Sequence, residues 1–357
     1  MKRAAIIGLG VIGASLGMAL RSARPDLEVI GSDLDPLTVE KAIEMGAINC
    51  PLPLGDVSGC DVVFIATPLR TIPQVLLQIR DTLDPESIVT DVGSVKNWVM
   101  EQYEKSLPPG VTAIGGHPLA GSDRSGVTGA DQYLLQNAVY VLTPSATAAS
   151  AKVEKLRELL EQTGAQVMIL TPAEHDHMVS QVSHLPHIVA ASLMNNLLKH
   201  PQALQLAAGG LRDTTRIAGS NPQLWEDILL LNKEAIVEEI GALISQLDCY
   251  RQAIKNNNGS DLGHYLKEAQ QMRKNMPMGR LCLLTSADIV AIVPDKPGII
   301  GFLGDLLGEA GININDIQIM GVRDENEGSI RLGVPQSQVQ LALTLLKDNG
   351  IRAWIRD

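Results

Sequence analysis

The clearest chemistry in the chain lies near its start, in Gly8-Leu9-Gly10-Val11-Ile12-Gly13, which follows the apolar run 4–7. A strand that turns through glycines into a helix points backbone N–H groups and the positive end of the helix dipole outward, where a pyrophosphate can bind. Gly10 offers no side chain where the phosphates approach, and Gly13 lets the helix pack close to the sheet. A second strand-like run, 27–31, leads to Asp33, 20 residues after Gly13. An acid there accepts hydrogen bonds from a ribose 2′-hydroxyl and repels a 2′-phosphate, which favours NAD over NADP. Strand, glycines, helix, strand and acid in this order predict a dinucleotide site.

An enzyme using that cofactor must also accept a proton and hold the charge of its substrate. Two segments follow strand-like runs and carry candidates: Asp91-Val-Gly-Ser94-Val-Lys96, and Gly115-Gly-His117-Pro-Leu-Ala-Gly-Ser122-Asp123. An imidazole with a pKa of about 6.5 suits proton transfer near neutrality, and two preceding glycines leave its approach open. The alternative is a loop histidine that bonds the backbone and shapes a turn. Another strand-like run ends at Thr67-Pro68, the carboxyl-end position where open α/β sheets bind ligands.

In the second half, His184 and His187 stand three apart and share a helix face. No carboxylate or cysteine stands at matching spacing, so no metal is expected. Pro186 lacks an N–H and presses on the carbonyl of Val182, which predicts a kink. His175-Asp176-His177, in the first turn of the same helix, reads as a solvated face. Gly209-Gly-Leu-Arg212-Asp213-Thr-Thr-Arg216 can grip a carboxylate, because a guanidinium offers two parallel hydrogen bonds. It can equally be a turn whose arginines pair with Asp213 and surface acids.

These groups need a scaffold. Strand-like runs at 4–8, 28–32, 62–67, 87–91, 111–115, 138–142 and 166–170 alternate with helical patterns such as 36–45 and 149–162, which predicts a parallel sheet covered by helices. From 172 to 276 the pattern is helical. Thr171-Pro172 is a good helix start, 225–255 reads as one long helix, and Ser260 can cap a helix at 261–276. A long helix rich in Ile and Leu packs against a twin, so a homodimer is expected. After a linker at 276–279, the runs 287–293, 300–310, 313–322, 329–334, 338–348 and 351–355 read as a βαββαβ, ferredoxin-like unit.

The 357 residues suffice for two or three domains (1–171, 172–279 and 285–357), and the net charge of −11 argues against nucleic acid or an acidic membrane as partner. An anionic substrate must then be met by local cations. Residues 4–20 carry no charge, yet seventeen residues fall short of a spanning helix and four of them are glycine. The four cysteines are scattered without a CxxC pair, as in a cytoplasmic protein with reduced thiols.

Together, 8–17, 91–96, 115–123, 183–187, 211–218 and Pro294-Asp-Lys-Pro-Gly298 make the chain similar to prephenate dehydrogenases that carry a C-terminal ACT domain. The resemblance implies an α/β Rossmann-type dinucleotide-binding domain, an all-helical dimerisation and substrate domain, and an ACT regulatory domain. It implies NAD-dependent oxidative decarboxylation of prephenate in tyrosine biosynthesis, with arogenate as the alternative substrate. His117 would take the proton of the ring hydroxyl, and Ser94 would orient the imidazole. Arg216 would bind a substrate carboxylate and His187 the other end of the substrate, with Asp213 and Asp123 in an ionic network at the entrance. Position 123 holds aspartate where glutamate is expected. Gly8, Gly10, Val11, Ile12, Gly13, Asp33, Thr67 and Pro68 would line the cofactor, and Asp295 and Gly298 an effector site for tyrosine. A β-hydroxyacid dehydrogenase would need a lysine that the Arg216 loop lacks. A non-catalytic NAD- and amino-acid-sensing protein would lack the catalytic groups, which are present.

Overall fold

The computed structural model describes all residues except 54, 122–123, 277–285, 325–326 and 356–357, and also leaves out the side chains of 286 and 320–324. Asp123, Cys282 and most of the expected linker therefore lie outside the described residues. The described chain divides into two compact units, Met1–Gly259 and Ser260–Asp357.

The first unit opens with β1 (Arg3–Ile7), α1 (Val11–Ala23), β2 (Glu28–Ser32), α2 (Pro36–Glu44), β3 (Cys50–Pro51), β4 (Val62–Ile65), α3 (Ile72–Ile79) and β5 (Ile88–Asp91). It continues with α4 (Lys96–Ser106), β6 (Thr112–Pro118), β7 (Val139–Pro144), α5 (Ser150–Glu161) and β8 (Gln166–Ile169). The eight strands form one sheet in the order β3-β2-β1-β4-β5-β6-β7-β8. Val62, Val63, Phe64 and Ile65 are all buried, because helices cover both faces and a central parallel strand needs no polar side. The uncharged stretch 4–20 becomes β1 and most of α1, and no described helix is long and apolar enough to cross a membrane.

Two features depart from the expected parallel sheet. The two-residue β3 is an added edge strand, too short to leave a pattern. More consequentially, β6 and β7 are antiparallel, with His117 opposite Val141. Among its described residues the connection between them has no α-helix to carry the chain back, so β7 returns against β6. β6 pairs with β5 only at Thr112 and Ala113, then runs on beside β7. His117 is therefore a strand residue, not a loop residue beyond the strand.

The helical part holds α6 (Pro172–Val179), a π turn at Ser180–His184, α7 (Leu185–Leu197), α8 (Gly209–Thr215), α9 (Pro222–Leu231) and α10 (Lys233–Lys255). Thr171 and Glu174 form a reciprocal capping box at the start of α6, as the Thr-Pro start suggests. The kink expected at Pro186 takes the form of the π turn, closed by Leu185 N–H to Ser180 C=O. The single long helix expected over 225–255 is instead two, interrupted at Asn232 (φ −107°, ψ 32°). Its side chain bonds sideways, to the Asp176 carbonyl and to His184.

The second unit begins with α11 (Gly259–Asn275), so Ser260 lies inside that helix and not at its cap. It then follows β9 (Ser286–Pro294), α12 (Ile299–Glu309), β10 (Asp316–Asp324), β11 (Glu327–Pro335), α13 (Val339–Asp348) and β12 (Arg352–Ile355). The sheet order is β10-β11-β9-β12, antiparallel throughout. Leu303 and Leu307 of α12 and Ala342 and Leu346 of α13 cover one face of it, giving a separate core.

Candidate active site

The glycine turn is built by close contacts. Gly8 has φ +95°, and a Cβ there would lie 2.6 Å from the Ala66 carbonyl oxygen. A Cβ on Gly13 would lie 2.0 Å from the Gly8 oxygen, whereas one on Gly10 would meet nothing within 4 Å among the described residues. The absence of a Cβ at Gly8 and Gly13 lets β1, β4 and α1 pack closely, and Gly10 leaves backbone open to a ligand. α1 starts at Val11 without a side-chain cap, so its first N–H groups are not taken by a side chain. Asp33 accepts the Leu9 N–H at 2.8 Å through Oδ2 and the Asp35 N–H at 3.1 Å through Oδ1. Each carboxylate oxygen retains a second lone pair for a ribose hydroxyl. Thr67 and Pro68 follow β4 and are bonded by Thr71 Oγ1 at 2.9 and 2.7 Å. These residues fit NAD: an open glycine turn, an uncapped helix start and an acid at the end of β2.

Across the carboxyl edge of the sheet, β5 and β6 are locked beneath His117. Lys96 and Asp91 are fully buried and form an ion pair. Lys96 Nζ also donates to the Gly116 carbonyl at 2.7 Å, while Asp91 Oδ1 accepts the Gly116 N–H at 3.0 Å. Both polar atoms of the residue before His117 are thus held by one buried pair. The two glycines serve this packing and do not open an approach to the imidazole. A Cβ on Gly115 would lie 2.3 Å from Thr143 Oγ1, and one on Gly116 2.3 Å from the Asp91 oxygen. Burial draws the Lys96 ammonium pKa down against the opposing pull of Asp91.

His117 is 8% exposed, and its Nδ1 lies 2.8 Å from His175 Nε2. His175 Nδ1 in turn lies 2.7 Å from Asp176 Oδ1. The expectation of a solvated face at 175–177 holds only for His177, since His175 is 0% and Asp176 2% exposed. The reason is the packing of α6 against α4. Asp176 accepts the Lys96 N–H at 2.7 Å and the Asn97 N–H at 2.8 Å, capping α4 from outside. His175 also stands four residues before the buried Val179, on the core-facing stripe. That spacing was the available signal. Burial first, and then the neighbouring His175, Lys96 and His184, drive the His117 pKa well below the ordinary value.

Ser94 is half-buried before α4, and the group that holds His117 Nδ1 is His175. Beyond it, His187 stacks on Trp225 with ring centroids 3.6 Å apart and planes within 5°. His184 meets the edge of the same indole at 6.1 Å. The Asn232 amide donates to the Asp176 carbonyl at 2.9 Å and faces His184 Nδ1 at 3.2 Å. An amide nitrogen is a donor, so Nδ1 of His184 accepts and the ring proton sits on Nε2. His184 Nε2 and His187 Nδ1 are buried without a hydrogen-bond partner among the described residues. Burial lowers the His184 pKa to about 4 and also lowers that of His187. Trp225 and Asn232 carry no sequence signal, because their roles come from helices crossing.

Arg216 opens the short helical turn Arg216–Gly219 after α8, and both segments pack on α7, the helix of His187. Arg212, Asp213 and Arg216 are exposed. Arg70, after β4, forms an ion pair with Asp227 of α9, fastening the cofactor side of the sheet to the helix that carries Trp225. Among the described residues no group of three His, Cys, Asp or Glu side chains could hold a metal ion.

The family models for the prephenate dehydrogenase nucleotide-binding domain and dimerisation domain match residues 16–169 and 171–268. The chain belongs to the prephenate dehydrogenase family. It is 35% identical to prephenate dehydrogenase of Bacillus subtilis, over 92% of this chain and 90% of the Bacillus protein. The Aquifex aeolicus prephenate dehydrogenase solved with hydroxyphenyl propionate and NAD+ superposes with a TM-score of 0.72. It is 30% identical and covers 78% of this chain and 99% of its own. Synechocystis arogenate dehydrogenase is equally recognisable, at TM-score 0.69 and 33% identity over 76% of this chain and 99% of its own. The chain is accordingly an NAD-dependent oxidoreductase of the prephenate dehydrogenase type.

Proposed function

We propose that the site oxidises prephenate at the ring carbon bearing the hydroxyl, with loss of carbon dioxide, to 4-hydroxyphenylpyruvate. One observation carries the residue assignment: a buried imidazole, His117, stands on the same carboxyl edge of the sheet as the glycine turn. NAD, when bound, accepts the hydride from that carbon. His117 takes the hydroxyl proton, and the O–H electron pair becomes the carbonyl bond. Departure of the ring carboxylate as carbon dioxide sends its bonding pair into the ring, which becomes aromatic. The charge then falls on the same oxygen, which recovers the proton from His117. The imidazole therefore holds one proton briefly, and the main work is orientation.

Prephenate is a dianion and the chain carries a net charge of −11, so its carboxylates need placed cations. Arg216 is assigned to one of them. His187, flat against Trp225 with an unpartnered Nδ1, is assigned to the other end of the substrate. Ser94 is assigned to the substrate hydroxyl beside His117. Asp213 is assigned to an ionic network that tunes Arg216. Arogenate differs only in the side chain and is the second candidate substrate.

The βαββαβ unit, with its antiparallel sheet and its own core, fits an ACT module that binds tyrosine as a feedback effector. Gly298, at φ +87°, opens α12, and it and Asp295 are both exposed, which supports the effector site there. On α10, Val237, Ile244, Leu247 and Ile254 form an exposed apolar stripe that supports a homodimer. Such an enzyme would work in the cytoplasm. The test is an absorbance assay for reduced NAD with purified chain, run with prephenate and with arogenate, each with and without tyrosine. Turnover of neither substrate overturns the reading. Unchanged rates in saturating tyrosine overturn the effector assignment alone.

A further inference from the structure

Asp176, His175 and His117 form a continuous line of side-chain hydrogen bonds at 2.7 and 2.8 Å, all three residues buried. The direction of those bonds follows from chemistry. Asp176 already accepts two backbone N–H groups from the start of α4, a load that only an ionised carboxylate carries comfortably. A carboxylate cannot donate, so His175 Nδ1 carries the proton between them. With that single proton on its ring, His175 has a bare Nε2, which can only accept. His117 Nδ1 must therefore donate, and its Nε2 is left as the free lone pair.

We propose that His175 and Asp176 are positioning residues that hold His117 in the Nδ1–H tautomer, so that Nε2 is the base for the substrate hydroxyl. The inference rests on the proton-acceptor role of His117 proposed above and goes beyond it, since it says which nitrogen acts and why. When Nε2 takes the hydroxyl proton, His117 becomes an imidazolium whose Nδ1–H points at His175. The charge is stabilised through His175 by Asp176, and the proton returns from Nε2 to the substrate oxygen after decarboxylation. No other donor or acceptor has to be supplied.

The two residues reach His117 from α6, while Asp176 also caps α4 and Asn232 holds the Asp176 carbonyl. The line therefore exists only when the helical segment is docked on the sheet. The tautomer of the base thus depends on that docking.

Ring-15N NMR of the full chain with NAD bound should report His117 with Nδ1 protonated and Nε2 bare. Asp176→Asn reverses the logic, because the amide can donate to His175 Nδ1 and turn both rings over. We expect kcat to fall by roughly 10²- to 10⁴-fold with KM for prephenate within about threefold, on the scale of a lost general base. The His117 signal should switch to Nε2–H. His175→Gln keeps an acceptor for His117 Nδ1 and should retain at least about tenfold more kcat than His175→Leu. NAD affinity and far-UV circular dichroism identify any variant that has merely unfolded, and the wild-type tautomer stands as a test that needs no variant. A wild-type chain that turns over prephenate with His117 protonated on Nε2 overturns the proposal, as does Asp176→Asn with normal kcat. A chain with the expected tautomer but no activity on prephenate or arogenate overturns the substrate reading instead.

Discussion

His117 and Arg216 are assigned to the same substrate, yet their surroundings are opposites. His117 sits on a central strand, over a buried ion pair, in a line of buried hydrogen bonds. Arg216 sits on an exposed helical turn in the part of the unit where glycines and polar residues cluster. The contrast follows from what each group has to do. A proton acceptor works only with a fixed ring position and one bare nitrogen, which requires a rigid shell. A cation that captures a dianion has to be reached from solvent, so it cannot be walled in.

Four experiments can break or sharpen that comparison. The largest effect is expected from His117→Asn, with kcat lowered by roughly 10²- to 10⁴-fold and little change in KM. Steady-state rates near those of the unmodified enzyme would remove His117 from the mechanism. Next comes the shell: Lys96→Met leaves the Asp91 carboxylate buried without its cation. Denaturant unfolding should register a loss of about 3–5 kcal/mol, and an unaltered midpoint would mean that the pair is not the foundation of β6.

The third effect is of pH. His184 has a folded pKa of about 4, against about 6.5 in an unfolded chain. Above pH 6.5 neither state is protonated and this group has no effect. Between pH 6.5 and 4 the unfolded state alone takes up the proton, so stability falls by about 3 kcal/mol as the pH drops. His117 and His187, also lowered, act in the same direction. Activity should likewise rise with pH through a value below 6.5 and be level above it, because His117 is already neutral. A rate that climbs only above pH 8 would mean that another group is the base. The smallest effect is expected at the exposed end. Arg216→Gln should raise KM for prephenate by about 10- to 100-fold, the loss of one charge-assisted contact of roughly 1.5–3 kcal/mol. Wild-type KM in that variant would return Arg216 to the role of a surface turn residue.

Much of the cofactor half is legible in the chain itself. The glycines, Asp33 and the strands follow from local rules: period-two or wholly apolar runs, positive φ at Gly8 and a fixed offset to the acid. The βαββαβ order of the second unit is legible for the same reason, since its runs alternate and its turns carry glycine. The substrate half is less so. His175 and His117 are separated by 58 positions, and nothing at either place announces the other. The break at Asn232 hides inside an uninterrupted helical pattern, because its cause is a side chain reaching to α6. The two glycines before His117 can be read as an open approach, whereas Lys96, Thr143 and Asp91 occupy the space that side chains there would need.

The order of residues therefore determined which chemistry is present: a dinucleotide turn, an acid at the end of β2, an imidazole after paired glycines, and two arginines after a second glycine pair. Only tertiary structure decided how the imidazole is used. Backbone preference and hydrophobic spacing act over a few residues, and so leave their marks in local pattern. A ring's tautomer is set by whichever distant donor or acceptor packing brings to it, here His175 and Asp176 carried in by α6.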